Sequence, residues 1–459
     1  MVGSITGTMI SGIASGYLGR KKTLMITQIV ALVGIIVLRF SSSVPHFYLG
    51  SFLGGCSGGV VNAVVPAYVG EINQPRIRKF SGSFMNTIFY CGFTCTKIIS
   101  IFANWRDTVA FMSSLGLVLI CFCPESPTWY MLKGMDDAAI KTMIRLRGDV
   151  EVANKEIQKI KANLEKQRES AQHINNTSKI QAQVQIITKG TFIRPCLVVT
   201  ILMAVCWQWT GGPVLSFYTD DILNRFEVPI PPLWVAPVIG GYQLCCCVLG
   251  IFISYMVPRR KYYMISGTLV FLGAGILGTV VHLLNYDLFK TLFADHYGLK
   301  WIPAIGLLIY FLGYNLGYIS VCFILLGELL PSNGKEMGGC IIIQFMNLSF
   351  FLALKSSNWC IQLLGFDGLF WLFAGVAFFS IIFAYFVIPE TFGKTLEETE
   401  DHYRKICYPR AYKAVTIGTE LINASFVSDR SLTINRSLWK LWYRNQYLKI
   451  LWWPISTFW

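Results

Sequence analysis

The sequence predicts an all-α, polytopic membrane protein, two helical bundles joined by a polar helical linker. Three observations predict it. Of 459 residues, 54% are hydrophobic and only 14% charged, where a soluble domain carries roughly 25% charged residues. Mean hydropathy is +0.52, and the apolar residues fall in long runs rather than alternating or in narrow stripes. Finally, an ordered set of charged motifs occurs twice along the chain. Inside lipid, backbone N–H and C=O groups must be satisfied within the segment, so such runs read as helices.

The first bundle holds five spans, at about 3–18, 23–41, 47–70, 80–103 and 107–123. The chain opens "MVGSITGTMISGIASGYLGRKK", an apolar, glycine-rich stretch ending in Gly19-Arg20-Lys21-Lys22. Its charges follow the apolar run instead of preceding it, unlike a signal peptide. As a helix it covers roughly 24 Å, short of a hydrocarbon core of about 30 Å. The third span carries Gly50, Gly54, Gly55, Gly58 and Gly59, small residues at helix-packing spacing. Residues 124–195 are polar, with Ile140, Met143, Ile144 and Leu146 at helical spacing, and read as a cytoplasmic helical linker. Six more spans follow, at about 196–219, 233–257, 262–284, 302–327, 337–356 and 366–388.

Loop charge sets the orientation. Gly19–Lys22, Glu71–Lys79, 124–195, Pro258–Lys261 and the chain after Pro389 are basic or large. The loops between them, such as Asp220–Pro232 and Asn285–Lys300, carry few Lys or Arg. The basic set alternates with the poor set and is therefore assigned to the cytoplasm. This also accounts for the formal charge of +14, which otherwise would suggest nucleic acid. The sequon Asn175-Asn176-Thr177 lies in the linker, away from the glycosylation machinery, and reads as chance. The fourteen cysteines lie mostly inside apolar runs, as packing residues rather than metal ligands or a disulfide framework. The tail from Thr391 to Trp459 starts as an acidic helix and ends "SLWKLWYRNQYLKILWWPISTFW". That end reads either as a membrane-interface segment or as sequence from a wrong gene boundary.

The duplication is specific. Gly70-Glu71 is followed by Arg78, and Gly327-Glu328 by Lys335, seven residues after each Glu. Upstream lie Gly19-Arg20-Lys21 and Pro258-Arg259-Arg260; downstream lie Pro124-Glu125-Ser126 and Pro389-Glu390-Thr391. The order basic turn, Glu-x6-basic, Pro-Glu-(Ser/Thr) thus occurs in each half, the pattern of carriers built from two halves. These groups are expected to pair across the seam between the halves. Pairs that rocking must break would form a cytoplasmic gate of Arg20, Lys21, Glu71, Arg78, Glu125, Arg259, Arg260, Glu328, Lys335 and Glu390.

At these residues the chain resembles the sugar-porter branch of the major facilitator superfamily, nearest the insect-type facilitated trehalose transporters. The matching stretches are "YLGRKKT", "PAYVGEINQPRIRKFSG", "PESPTWYMLKGMDD…IRLRGD", "FILLGELLP" and "IPETFGKTLEE". The resemblance implies twelve helices, a multi-pass plasma-membrane protein, and passive sugar movement by alternating access. It divides the chain into 1–123 (family helices 2–6), 124–195, 196–390 (helices 7–12) and a cytoplasmic tail, 391–459. The first basic turn matches the loop between family helices 2 and 3, so the first family helix is expected to be absent.

The same resemblance implies the substrate site. Asn86 stands where family helix 5 usually has Gln. Trp207-Gln208-Trp209-Thr210-Gly211-Gly212-Pro213 replaces Gln-Gln-(Leu/Phe)-Ser-Gly-Ile-Asn on helix 7, so of three amides only Gln208 survives. Gln243 aligns with an Asn of the glucose facilitators, and Asn315 with a Glu. Ile319-Ser320-Val321-Cys322-Phe323 replaces Gly-Pro-Ile-Pro-Trp on helix 10. Met346 takes a family Asn position, with Asn347 one residue later. Asn and Gln suit a sugar because each offers donor and acceptor without a charge to desolvate. Phe323 or Trp207 would cover the sugar's C–H face. For each amide, interhelical hydrogen bonding is the competing role.

Other departures touch the gate and its motion. Gly16 and Tyr255 stand where the family has acidic partners of the basic turns. Loss of the helix-10 prolines removes breaks that would let that helix bend. No span carries a carboxylate near its middle, which favours a uniporter over a proton symporter. No catalytic constellation and no cofactor motif appears, so no enzyme is expected. The competing readings are a sugar-binding protein that does not transport and an inactive truncated product.

Overall fold

The computed structural model describes residues 2–74, 81–172, 190–225, 231–286, 298–330, 335–392, 398–399 and 403. Residues 1–396 form one compact unit. Residues 397–459 form a second, of which Glu398, Thr399 and Tyr403 are described. The aromatic-basic C-terminal stretch and the sequon lie outside the described residues.

Among the described residues all regular structure is helical. The first bundle comprises α1 (Val2–Leu18), α2 (Arg20–Arg39), α3 (Val44–Ile72), α4 (Ser81–Phe102) and α5 (Trp105–Phe122). Three polar helices follow, α6 (Pro127–Leu132), α7 (Asp136–Arg147) and α8 (Val150–Gln172). The second bundle opens with α9 (Gly190–Thr200), a π-helical segment Ile201–Cys206, α10 (Trp207–Trp209) and α11 (Gly212–Arg225). It continues with α12 (Pro232–Met256), α13 (Arg259–Leu283), α14 (Ile302–Gly313), a π segment Tyr314–Tyr318, α15 (Ile319–Leu329) and α16 (Lys335–Val387).

The eleven expected spans all fall on helix. The last two are not separated by a loop. They join at Gly365, whose φ of 76° turns the chain inside the long α16. Among the described residues, eight stretches are long and apolar enough to cross a membrane, with α16 as one of them. Large apolar side chains such as Phe111 and Phe386 remain exposed on these helices, as a lipid-facing surface requires.

Close backbone approach builds the first bundle. A Cβ at Gly7 would lie 2.1 Å from the Cys56 carbonyl oxygen, and one at Gly59 2.1 Å from that of Ser4. With little hydrophobic drive between helices in lipid, such contact supplies the attraction through dispersion and packing. The two bundles meet along two seams. At one, α4 packs on α12 and α15: Asn86 Nδ2 donates to Cys247 Sγ at 3.4 Å, and a Cβ at Gly82 would lie 3.2 Å from Ile324 N. At the other, α1 packs on α16, where Gln344 Nε2 donates to the Ile5 carbonyl at 3.0 Å.

The linker helices build their own small core of Met131, Ala139, Met143, Ala153 and Ile157, with Ile140 and Ile144 packed on it. Arg147 ties that core to the first bundle. Its Nη1 donates to the Ile72 carbonyl at 2.9 Å, satisfying the end of α3, while its Nε reaches Glu156 at 2.9 Å.

Candidate functional site

The repeated motifs form two matching clusters at the basic end of the bundles. In the first, the Glu125 carboxylate accepts from the backbone N–H groups of Arg20 (2.8 Å), Lys21 (3.0 Å) and Ser126 (2.9 Å). It thereby caps the N-terminus of α2, where unpaired donors and the helix dipole favour negative charge. Gly19 makes the cap possible. Its φ is 95°, and a Cβ there would lie 2.6 Å from the Glu125 carboxylate. The Arg20 side chain pairs with Glu71 at 2.8 Å and donates to the Ser15 carbonyl at 3.0 Å. Ser126 closes the ring by donating its hydroxyl to Glu71.

The second cluster repeats this part for part. Glu390 accepts from the backbone N–H groups of Arg259 (3.0 Å) and Arg260 (3.3 Å), at the start of α13. Arg259 donates to the Ser254 carbonyl at 2.5 Å and faces Glu328 at 3.5 Å. Thr391 donates its hydroxyl to Glu328 at 2.6 Å. The second cluster is looser: the ion pair is longer, and Arg259 Nε is buried without a hydrogen-bond partner.

The contacts of these two clusters join residues of one half. The physical reason is connectivity: in each half the three motifs terminate helices that are neighbours in the same bundle. Arg78 lies outside the described residues, and Lys335 enters only as the first residue of α16.

The amides expected to meet a sugar are all buried. Asn86, Gln208, Gln243, Asn315 and Asn347 range from 0% to 6% exposed. Asn86, on α4, and Gln243, one helical turn before Cys247 on α12, belong to the same seam. Gln208 sits in α10, between Trp207 and Trp209. Trp207 Nε1 donates to the Tyr314 hydroxyl at 2.7 Å, and its ring meets Phe323 edge-on at 5.5 Å. Asn315 follows Tyr314 in the π segment, donating Nδ2 to the Phe311 carbonyl at 3.0 Å. Asn347 goes elsewhere: its Nδ2 faces Thr8 Oγ1 at 3.5 Å across the α1–α16 seam.

Two π segments frame this region, one directly before Trp207 and one containing Asn315. Such turns widen a helix and displace its carbonyls from the regular ladder. Tyrosines on the facing helix meet carbonyls around the first. Tyr318 donates to the Cys206 carbonyl at 3.2 Å and Tyr310 to that of Thr210 at 3.1 Å. From α16, Ser349 donates to the Ala204 carbonyl and accepts from Trp209 Nε1 at 2.9 Å. Tyr310, Tyr314 and Tyr318 stack in a ladder, with centroids 5.6 and 6.4 Å apart. Position 320 and position 322, where the family has prolines, lie inside regular α-helix; the irregular turn stands just before them.

Sequence reasoning missed Tyr314 and Tyr90. Tyr90 is buried one turn along α4 from Asn86. The spacing of four from Asn86 and the run Tyr310, Tyr314, Tyr318 were the available signals.

Among the described residues three buried amide oxygens have no hydrogen-bond partner: Gln344 Oε1, at the α1–α16 seam, and Gln243 Oε1 and Asn315 Oδ1, in this region; the hydroxyls of Ser83 and Ser320 are also without one. Buried polar atoms are nearly always paired, so unpaired acceptors within a bundle mark places where a donor is expected.

Comparisons with known proteins agree with this architecture. Residues 1–403 match the family model described as sugar (and other) transporter. A facilitated trehalose transporter of Drosophila virilis is 25% identical over 402 residues, covering 85% of this chain and 42% of its own length. One of Culex quinquefasciatus is 24% identical over 406 residues, covering 88% and 75%. The chain spans about half the length of the Drosophila relatives it matches. Among solved structures, a major facilitator proton:xylose symporter, XylE, bound to 6-bromo-6-deoxy-D-glucose, superposes with a TM-score of 0.67 at 20% identity, over 88% of this chain and 87% of that one. With its helices, its doubled charge clusters and the family match over residues 1–403, the chain belongs to the sugar (and other) transporter family.

Proposed function

We propose that the chain is a facilitative sugar carrier, a uniporter working by alternating access at the plasma membrane, with trehalose or a hexose as substrate. The observation that carries the reading is the pair of buried, unpartnered acceptors, Gln243 Oε1 and Asn315 Oδ1. A sugar hydroxyl supplies the missing donor without a net charge. Asn86 and Gln208 add amides, and Trp207 and Phe323 add aromatic faces. The relatives named trehalose transporters support the substrate class. Among the described spans, carboxylates stand at helix ends or junctions rather than at mid-span. That favours uniport, since proton coupling needs a buried titratable acid.

In this reading, the clusters of Arg20, Lys21, Glu71 and Glu125 and of Arg259, Arg260, Glu328 and Glu390 hold each half rigid at the gate end. Arg78 and Lys335 would complete the gate.

The test is uptake of labelled trehalose and glucose in oocytes displaying the chain at the surface. Saturable uptake above water-injected controls, lowered in Gln243→Leu and Asn315→Leu, is expected. Its absence despite surface expression sinks the carrier reading. A second reading, sugar binding without transport, is favoured by the bonds from Tyr310, Tyr318 and Ser349 that fasten the substrate-lining helix to its neighbours. A sugar-dependent rise in melting temperature without uptake would select it.

A further inference from the structure

A second cavity lies away from the amides, between α11 and the two arms of α16. Its volume is about 700 Å³, within the roughly 300–1,000 Å³ typical of small-ligand sites. Val214, Leu215, Tyr218 and Ile222 form one wall and Phe366, Leu369, Phe370 and Phe373 another, with Asn358, Ile361 and Gln362 between them. It sits beside the Gly365 turn, at the end of the spans remote from the basic clusters.

Its chemistry narrows the occupant. Among the described residues the lining includes no Lys, Arg, Asp or Glu, so a phosphate or carboxylate headgroup would meet no counter-charge from them and would be costly to bury. Three polar side chains among eleven are too few for a sugar, whose hydroxyls each need a partner. Asn358 and Gln362, four residues apart, lie on one helix face and give the cavity a single polar edge. Opposite stand aromatic walls, with Phe370 and Phe373 edge to face at 6.4 Å. Access from the bilayer is suggested by Leu363 and Leu364, which border the cavity in sequence and are 62% and 50% exposed.

We propose that this cavity binds a membrane sterol, a lipid with a flat, rigid apolar body and one uncharged hydroxyl. The hydroxyl meets Gln362, with Asn358 one turn away on the same face, and the ring system lies against the phenylalanines. Phe373 gives the site a route to the substrate region. Gly211 has φ 92°, and a Cβ there would lie 2.2 Å from the Phe373 ring. An occupant touching Phe373 therefore touches a ring that packs on the turn following Gln208 and Trp209.

The test is photolabelling of the intact chain in nanodiscs with a diazirine-bearing cholesterol probe, followed by peptide mapping. Label is expected on 214–222 and 358–373, displaced by excess cholesterol but not by phosphatidylserine. Val214→Trp, which fills the cavity, should abolish displaceable label there, whereas Leu363→Trp, outside the lining, should keep it. Gln362→Leu should weaken competition by cholesterol about fivefold, the effect of one hydrogen bond, and leave competition by cholestane unchanged. Label spread evenly over the exposed faces of α1, α2 and α5, or unaltered by Val214→Trp, overturns the proposal. So does equal displacement by phosphatidylserine, or a Gln362→Leu variant that competes like the parent. Labelling requires no sugar movement, so a failure of the carrier reading leaves this result interpretable.

Discussion

Replacing Glu71 by Ala tests whether the basic-end clusters brace each half or latch the two halves together. Glu71 receives Arg20 Nε at 3.2 Å on both oxygens, Arg20 Nη2 at 2.8 Å, and the Ser126 hydroxyl. The Arg20 and Glu71 side chains are only 8% and 14% exposed. Removing one partner of a buried pair typically costs ~3–5 kcal/mol, because the other charge is left uncompensated. Arg20 retains the Ser15 carbonyl and further contacts, so the low end, about 3 kcal/mol, is expected. The matching change Glu328→Ala removes an ion pair at 3.5 Å and the Thr391 hydroxyl bond at 2.6 Å from a side chain that is 26% exposed and should cost about 1.5 kcal/mol. At roughly 2 °C per kcal/mol for a large domain, Glu71→Ala should melt roughly 5 °C lower in nanodiscs and Glu328→Ala about half as much. Adding Arg20→Leu to Glu71→Ala should recover part of the loss. A brace within one half destabilises inward- and outward-facing states equally, so thiol labelling of cysteines introduced at the outer end should not change. Unchanged stability with altered outer labelling would refute the brace and restore a latch across the seam.

Three further outcomes follow from individual contacts. A Cβ at Gly212 would lie 1.9 Å from the Tyr314 ring, so Gly212→Ala should displace that ring and lower uptake at unchanged surface expression, and Tyr314→Ala in the same chain should restore part of it. Gly7→Val should block assembly of α1 on α3, because the Cys56 carbonyl already sits 2.1 Å from where its Cβ would be; loss of a monodisperse chromatographic peak is the readout. Gln243→Leu removes a buried acceptor with no partner, so it should raise the melting temperature of the sugar-free protein while weakening sugar affinity about tenfold, the effect of one hydrogen bond from a buried amide; a fall in both quantities would mean Gln243 is structural only.

The spans and the duplication were legible in the sequence because both rest on residue type alone. Long apolar runs need no partner to be recognised, and Glu71 with Glu328, or Glu125 with Glu390, recur at matched intervals. What residue type withholds is the choice of partner. Arg20 is equally compatible with a carboxylate in its own half or the other; the fold decides by bringing Glu71 and Glu125 to the same helix start. The π segments were hidden for a related reason. An extra residue in one turn shifts the pattern only slightly, and a span apolar on all faces has no polar stripe whose shift would reveal it. Asn347 shows the consequence. Standing one residue past the family's amide position, it is rotated by about 100° on a helix with 3.6 residues per turn. That rotation carries it from the expected substrate face to Thr8 on α1. An amide count therefore overstates the candidate site, and the acceptors left unpaired by the fold, Gln243 and Asn315, are the sharper basis for the proposed sugar contacts.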